Sequence, residues 1–320
     1  MATSLINLIL NSQQLVYSGL SLAGLFGLTW IYSFIKRDAS LDIHVWSLGF
    51  VFQAILYYLE SPVLTWQKSL FAFLSLFHSL RLSTYLFIRD YRKPENRRYT
   101  TLLRQKLGNH LDWLSLFILF IPQMILNWIV GLSIFAVEVA KDMKDVSNFY
   151  FLFGCFTMLL GTLIESLADI QLYNFKQDPR NEGKIMNRGL WKYSRHPNYF
   201  GETLHWWGVY ICNLSIGIRA TIFAPLIMTI ATRFITGVPF TELYMEKKFG
   251  EKQMHDYQEK TSAFIPSPTS NIPATQEKTA EFAPSQETNF PAAQDKSSQF
   301  IPQTSNIPTA NIFSTEPSRQ

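Results

Sequence analysis

Seven stretches of this chain, roughly 15–35, 41–59, 66–88, 113–137, 148–173, 198–215 and 218–236, are apolar over about the length that crosses a bilayer. No other feature narrows the possible folds so far. In hydrocarbon every backbone N–H and C=O must find its partner within the chain, so such spans fold as helices. The expected fold is therefore all-α, a polytopic membrane helix bundle of about seven transmembrane helices. The second, sixth and seventh stretches are short or broken, which leaves six or eight spans open. Composition agrees, with 48% apolar, 15% aromatic and only 16% charged residues. Two cysteines, Cys155 and Cys212, are too few for a disulfide scaffold. A net charge of +4, dispersed between apolar runs, argues against a nucleic-acid partner. The N-terminus has no basic segment or small-residue cleavage site, so no signal peptide is expected.

Loop charge sets the orientation. With the N-terminus outside, the inner loops hold twenty Lys and Arg, and the outer loops hold only Lys68, Lys141, Lys144 and Arg219. Basic residues concentrate on the cytoplasmic side. The N-terminus is thus expected outside or luminal and the C-terminal tail in the cytosol. The membrane would be the endoplasmic reticulum in a eukaryote or the inner membrane in a bacterium.

Residues 1–265 are read as the membrane domain and 266–320 as a tail of another kind. From Pro266 onward there is no Gly or Trp, yet eight of the fifteen prolines fall there. Thr261–Lys278, Thr279–Lys296 and Ser297–Ser314 are copies of an 18-residue unit, with Phe264, Phe282 and Phe300 in register, as are Pro266, Pro284 and Pro302. The units are too polar and Pro-rich to bury a core, so the tail is expected to be disordered. The first copy overlaps the end of the membrane domain, as if that segment had been duplicated outward.

Charge inside a membrane is costly and marks a cavity or a partner. Glu165 and Asp169 share one face of the fifth span, with Tyr173 and Lys176 continuing it towards the inner side. Arg81 follows His78 by three residues in the third span. Pro197 suits the first turn of a helix that places Asn198, Glu202 and His205 on one side. Beside that helix start stand Arg195, Arg188 and Lys192, a setting for an anion such as a phosphate. The bland alternative is a basic loop resting on lipid headgroups. No G-x-G-x-x-G, P-loop or G-x-S-x-G element occurs, and the six histidines show no metal spacing, so no metal is expected.

The runs Glu165-Ser-Leu-Ala-Asp169 and Asn187-Arg-Gly-Leu-Trp-Lys-Tyr-Ser-Arg-His-Pro-Asn-Tyr-Phe-Gly-Glu202, with Trp206-Trp-Gly208, closely resemble a family of membrane proteins. That family, the DUF1295 type, shares the C-terminal domain of the steroid 5-alpha-reductases. The run from Thr236 through Glu242 to Pro266 resembles its ending, and Glu95-Asn-Arg-Arg-Tyr99 is a weaker echo; the likeness covers about residues 35–268. The resemblance implies a membrane oxidoreductase that holds NADPH in its C-terminal half, about 113–265, and reduces a carbon–carbon double bond, enone-type, in a lipid or sterol-like substrate. By motif position it implies Arg81, Glu165, Asp169, Lys176, Asn187, Tyr193, Arg195, His196, Asn198, Tyr199, Glu202 and Glu242 as cofactor-binding residues. Arg195 would meet the phosphates, and the carboxylates and Asn198 would take the amide and ribose hydroxyls. Where steroid reductases place a Tyr three residues before the Arg, this chain has His78, expected as the acid, with Glu60 a further ionisable group on the N-terminal side. Arg195-His-Pro-Asn-Tyr199-Phe-Gly201 also fits membrane methyltransferases of the isoprenylcysteine carboxyl type, which bind S-adenosylmethionine. A non-enzymatic membrane scaffold is the third reading. The abundance of Lys and Arg favours the anionic cofactor.

Overall fold

A computed structural model of the chain describes residues 13–140 and 147–268. The N-terminal stretch read as lacking a signal peptide, Lys141 and Lys144, and the repeats beyond Pro268 lie outside the described residues. Eight helices carry the architecture: α1 Gln13–Lys36, α2 Asp42–Leu59, α3 Trp66–Asp90, α4 His110–Glu138, α5 Asn148–Gln177, α6 Pro197–Ser215, α7 Ala220–Phe249 and α8 Glu251–Lys260. Each expected span coincides with one of the first seven to within a few residues at its start. The polytopic all-α reading holds.

Six of these helices, α1 to α5 and α7, are long and apolar enough to cross a membrane. The seventh, α6, has 19 residues but carries Asn198, Glu202, His205 and Asn213, which lower its hydropathy. It takes shelter against α5 instead. Among the described residues there is no strand, only a single parallel bridge between Ser194 and Ser262.

Local chemistry sets several boundaries. The Thr65 side chain accepts the Lys68 N–H (3.4 Å) at the start of α3. Pro197 opens α6, where its missing N–H costs no hydrogen bond. α7 is interrupted at Thr236–Gly237, and Val238–Phe249 then resumes as a separate helical segment.

The α5–α6 contact determines where the polar side chains go. A Cβ on Gly201 would lie 2.6 Å from the Glu165 N, and one on Gly208 would lie 2.5 Å from the Met158 N. Only glycine lets the two backbones come this close, the device by which helices pack in lipid. Elsewhere polar ties bind the bundle, including Gln53 Nε2 to Asn127 Oδ1 (2.8 Å) and Asn213 Nδ2 to the Ser133 carbonyl (3.0 Å). The apolar core runs past them, with Trp206 against Phe50 at 4.7 Å between ring centroids.

Candidate functional site

With α5 and α6 in backbone contact and α3 laid against α5, the charged residues of three helices meet in the interior. Arg81 of α3 pairs with Glu165 and, at 2.9 Å, with Asp169, one turn further along α5. Asn198 at the start of α6 donates to Asp169 (3.4 Å), and Trp46 of α2 donates to Glu202. The two α5 carboxylates are 3% exposed. Such a pair survives in a low-dielectric interior only when the cation is well placed, because each charge has lost its water. The cluster is incompletely satisfied: Arg81 Nε and Asn198 Oδ1 are buried without a hydrogen-bond partner. Polar atoms in that condition are rare in folded proteins and call for a ligand or an ordered water.

His78 lies behind this cluster. Its ring stacks on His205 (3.7 Å between centroids, 12°), and both Nδ1 atoms approach the Thr162 hydroxyl, at 3.2 and 3.1 Å. Thr162 spends its own proton on the Met158 carbonyl (2.9 Å), so towards the imidazoles it can only accept. The other neighbours of the two Nδ1 atoms are Glu165 Oε2 (3.5 Å) and the Met158 carbonyl (3.3 Å), also acceptors. Both histidines therefore carry their proton on Nδ1. His205 and Thr162 complete this network. The spacing of His205 from Asn198 and Glu202 was readable in the sequence, whereas Thr162 gave no signal.

An apolar groove of about 590 Å³ runs between α3 and α5, and Arg81 and Asp169 are the charged residues in its lining, midway along the α3 side. Phe73, Phe77, Leu80 and Ile170 line its walls, and Tyr85 stands one turn beyond Arg81. His78 is not among the lining residues; it was expected to face the substrate, but its ring points into the α3–α5–α6 interior. Glu60 ends α2 at the end opposite Asp42, where its backbone carbonyl accepts from Gln14 (2.8 Å), so the fold does not bring it to this cluster.

The motif loop does something other than expected. Arg195 is 8% exposed, and its guanidinium is committed to Glu242 (2.8 and 3.3 Å) and to the carbonyls of Gln258 (3.2 Å) and Thr261 (2.5 Å). His196 Nε2 meets the same Glu242 at 3.0 Å. Burial pushes the His196 imidazole below its ordinary range, with Glu242 pulling the other way. Tyr199 stacks on His196 and bonds Thr241 (3.1 Å), which Arg98 also reaches (3.1 Å). Arg195, His196, Tyr199 and Glu242 thus form a clasp that ties the start of α6 to α7 and the segment after α8. Four of the five guanidinium N–H donors of Arg195 are thus engaged within the fold.

Further cations gather nearby. Lys176, at the C-terminal end of α5, shares its electrostatic surroundings with Lys248, with Arg98, which donates to Tyr199 (3.2 Å), and with Arg89, which pairs with Asp90. Arg98 sat in the weaker motif echo, and Lys248 had no sequence signal because it comes from the far side of the α7 interruption. Asn187 and Tyr193 are exposed and stand apart from the interior cluster. Asp42, near the same end, is fully buried and accepts from Tyr99 (2.9 Å) and Gln123 (2.6 Å). One trio on α8, His255, Asp256 and Glu259, has metal-ligand spacing, but it is fully on the surface.

The sequence family described as "protein of unknown function (DUF1295)" matches residues 29–261. Among curated proteins, the chain is 30% identical over 135 residues to the 3-oxo-5-alpha-steroid 4-dehydrogenase 1 of Mus musculus, covering 42% of this chain and 48% of that one. It is 30% identical over 116 residues to the Bos taurus protein of the same name, covering 36% and 41%. The chain thus spans less than half the length of these relatives. No solved structure matches.

Proposed function

This chain belongs to the DUF1295 family, and from that premise we propose that it is an NADPH-dependent membrane oxidoreductase that reduces a double bond conjugated to a carbonyl in a lipid or sterol-like molecule. One observation carries the reading: a buried Arg81–Glu165–Asp169 cluster, with unpartnered polar atoms, borders an apolar groove between two membrane helices. Its steroid-dehydrogenase relatives are named for a 3-oxo steroid, a rigid apolar body with one polar end. A groove with apolar walls and one charged patch suits such a molecule.

The residues present fit the cofactor in two places. Lys176, Lys248, Arg98 and Arg89 offer positive charge for its phosphates, a role that passes to them because Arg195 is engaged elsewhere. Asn198 Oδ1, Asp169 and Glu202 offer acceptors for ribose hydroxyls and the carboxamide. When bound, NADPH supplies the hydride. The chain's own residues do the rest. The groove walls exclude water and hold the apolar body. Tyr85, which lies in the groove within the field of Asp169 and Arg89, is placed to give a proton to the carbonyl oxygen. Arg81 keeps its proton and acts by charge. His78, held by Thr162 and stacked on His205, fixes the Glu165 carboxylate that in turn orients Arg81.

The groove opens between α3 and α5, so a lipid substrate would reach it sideways from the bilayer. The orientation belongs to the same proposal: N-terminus outside, tail in the cytosol. Labelling of the tail from the outer side of sealed vesicles would refute it. For the cofactor, purified protein in detergent should shift NADPH fluorescence. Binding of S-adenosylmethionine with no response to NADPH would overturn the reading in favour of a methyltransferase.

A further inference from the structure

The face of α6 opposite Asn198, Glu202 and His205 carries Phe200, Leu204 and Trp207 on successive turns. Together with α7 and the segment Ser262–Ile265 this face encloses a second groove, of about 490 Å³, which shares no residue with the groove between α3 and α5. Its hydroxyls are largely spent inward. Thr203 donates to the Tyr199 carbonyl (2.9 Å), and Thr229 donates to the Pro225 carbonyl (2.6 Å) while accepting from Trp207 (3.3 Å). The walls are therefore apolar in effect, and two of the side chains that form them, Phe234 (64%) and Ile265 (66%), are widely exposed. Large apolar side chains left open beside a cavity mark a place where something binds.

One charged residue lines this groove, Arg233, and no acid does. Arg233 lies in the π-helical turn Ala231–Ile235, where α7 widens before its interruption. That turn closes the apolar stretch 218–236, so the guanidinium stands at headgroup depth and the groove runs from it into the bilayer. Among the described residues Arg233 has no ion pair and no hydrogen bond. Its guanidinium rests over the Phe234 ring, 5.0 Å from the centroid, which leaves its N–H donors unspent. The acid nearest to it in sequence, Glu242, is already shared by Arg195, His196 and Gln258. The Ser262 hydroxyl, also in the lining, has no hydrogen bond among the described residues either.

We propose that this groove holds one acyl chain of an anionic membrane phospholipid, whose headgroup phosphate is received by Arg233 and Ser262. Charge and shape choose that occupant. A guanidinium meets a phosphate through paired N–H···O bonds, and here it has no competing carboxylate. A zwitterionic head would bring an ammonium to a groove with no acid to receive it. A water-soluble anion would leave Phe200, Leu204 and Phe234 uncovered. The volume is that of a pocket for a single small ligand, which suits one chain. Bound there, the lipid touches α6, α7 and the segment after α8, the same three elements that the Arg195 clasp joins, and so adds to that clasp from the membrane side. The inference does not depend on the reaction proposed above.

The test uses the full chain in phosphatidylcholine nanodiscs that contain a small fraction of phosphatidylglycerol with a photo-reactive acyl chain. Cross-links should map to α6 between Phe200 and Trp207, or to Phe234 and Ile265, and unlabelled phosphatidylglycerol should suppress them where added phosphatidylcholine does not. Arg233→Gln breaks no ion pair, so the variant should fold with its thermal midpoint near the native one in detergent. It should cut the labelling about tenfold or more, the scale of a charge-assisted hydrogen bond, and Arg233→Lys should restore part of it. General attraction of one interfacial arginine to anionic lipid is worth only about fivefold and favours no particular residue. Equal labelling of these residues by a photo-reactive phosphatidylcholine, or unchanged labelling in Arg233→Gln, overturns the proposal. So does a probe displaced more readily by a free fatty acid or by inorganic phosphate than by phosphatidylglycerol, which would make the occupant another anion.

Discussion

Arg195 and Arg81 both sit beside carboxylates, and they are not doing the same thing. Arg195 holds Glu242 and two backbone carbonyls with four of its five N–H donors, and with His196 and Tyr199 it closes a clasp. Arg81 holds Glu165 and Asp169 beside an open apolar groove, keeps an unpartnered Nε, and has the unpartnered Asn198 Oδ1 in the same cluster. The first is a finished network and the second an unfinished one. A network with all its partners rigidifies a fold, whereas one with vacancies is where a ligand completes the set. Motif density draws the eye to Arg195 first, because it lies in the long Asn187–Glu202 run that carries the family resemblance.

The comparison breaks first on chemistry. Tyr85→Phe removes the one proton donor proposed in the groove and should lower turnover of an enone lipid by about 10²- to 10⁴-fold, with NADPH affinity unchanged. His78→Phe removes a group one layer back and should cost less. If His78→Phe abolishes turnover while Tyr85→Phe leaves it intact, the proton comes from the interior and the groove is not the substrate's site.

Stability comes next. Arg195→Ala leaves half-buried Glu242 only His196 and Gln258 and releases two carbonyls, and breaking a buried pair of this kind costs about 3–5 kcal/mol. The thermal midpoint should fall steeply, while NADPH affinity, measured well below that midpoint, stays near the native value. A loss of affinity without loss of stability would return Arg195 to the phosphates and erase the contrast drawn here. Gly208→Ala should be milder, about 1–3 kcal/mol of overpacking, because the added methyl meets the Met158 backbone at 2.5 Å and the two helices must part. Its activity should suffer with its stability, since the same contact brings Asp169 to Asn198.

Much of this was legible beforehand for plain reasons. Helices α1 to α5 announce themselves because hydrocarbon demands length and apolarity, both of which are linear in sequence. The face shared by Glu165 and Asp169, and that shared by Asn198 and Glu202, follow from helical periodicity. What escaped depends on which helix lies against which. The pairing of Arg81 with the α5 carboxylates needs the α3–α5 contact. The diversion of Arg195 needs Thr261, 66 residues away, and Glu242, 47 away. Tyr85 escaped because a tyrosine in an apolar span reads as packing until a groove is found beside it.

The smallest expected effect is also the one that separates the two arginines most cleanly from the free cations. Lys248 lies in the segment beyond the α7 interruption and shares its surroundings with Lys176 and Arg97. Like charges are left close together in a fold when a polyanion is to neutralise them, and removing one both weakens the ligand and relieves their mutual repulsion. The two effects oppose, and the cluster borders water, so Lys248→Ala should weaken NADPH binding only a few-fold, about 0.5–1 kcal/mol. The loss should shrink further as salt is raised, because exposed charges are screened over about 8–10 Å at ordinary ionic strength. Arg195→Ala should show no such salt dependence in affinity. Titrating NADPH against native, Lys248→Ala and Arg195→Ala protein at two salt concentrations reads this directly. A salt-sensitive loss in Arg195→Ala with none in Lys248→Ala would mean that the clasp opens to bind and that the inner cations are only a solvated face.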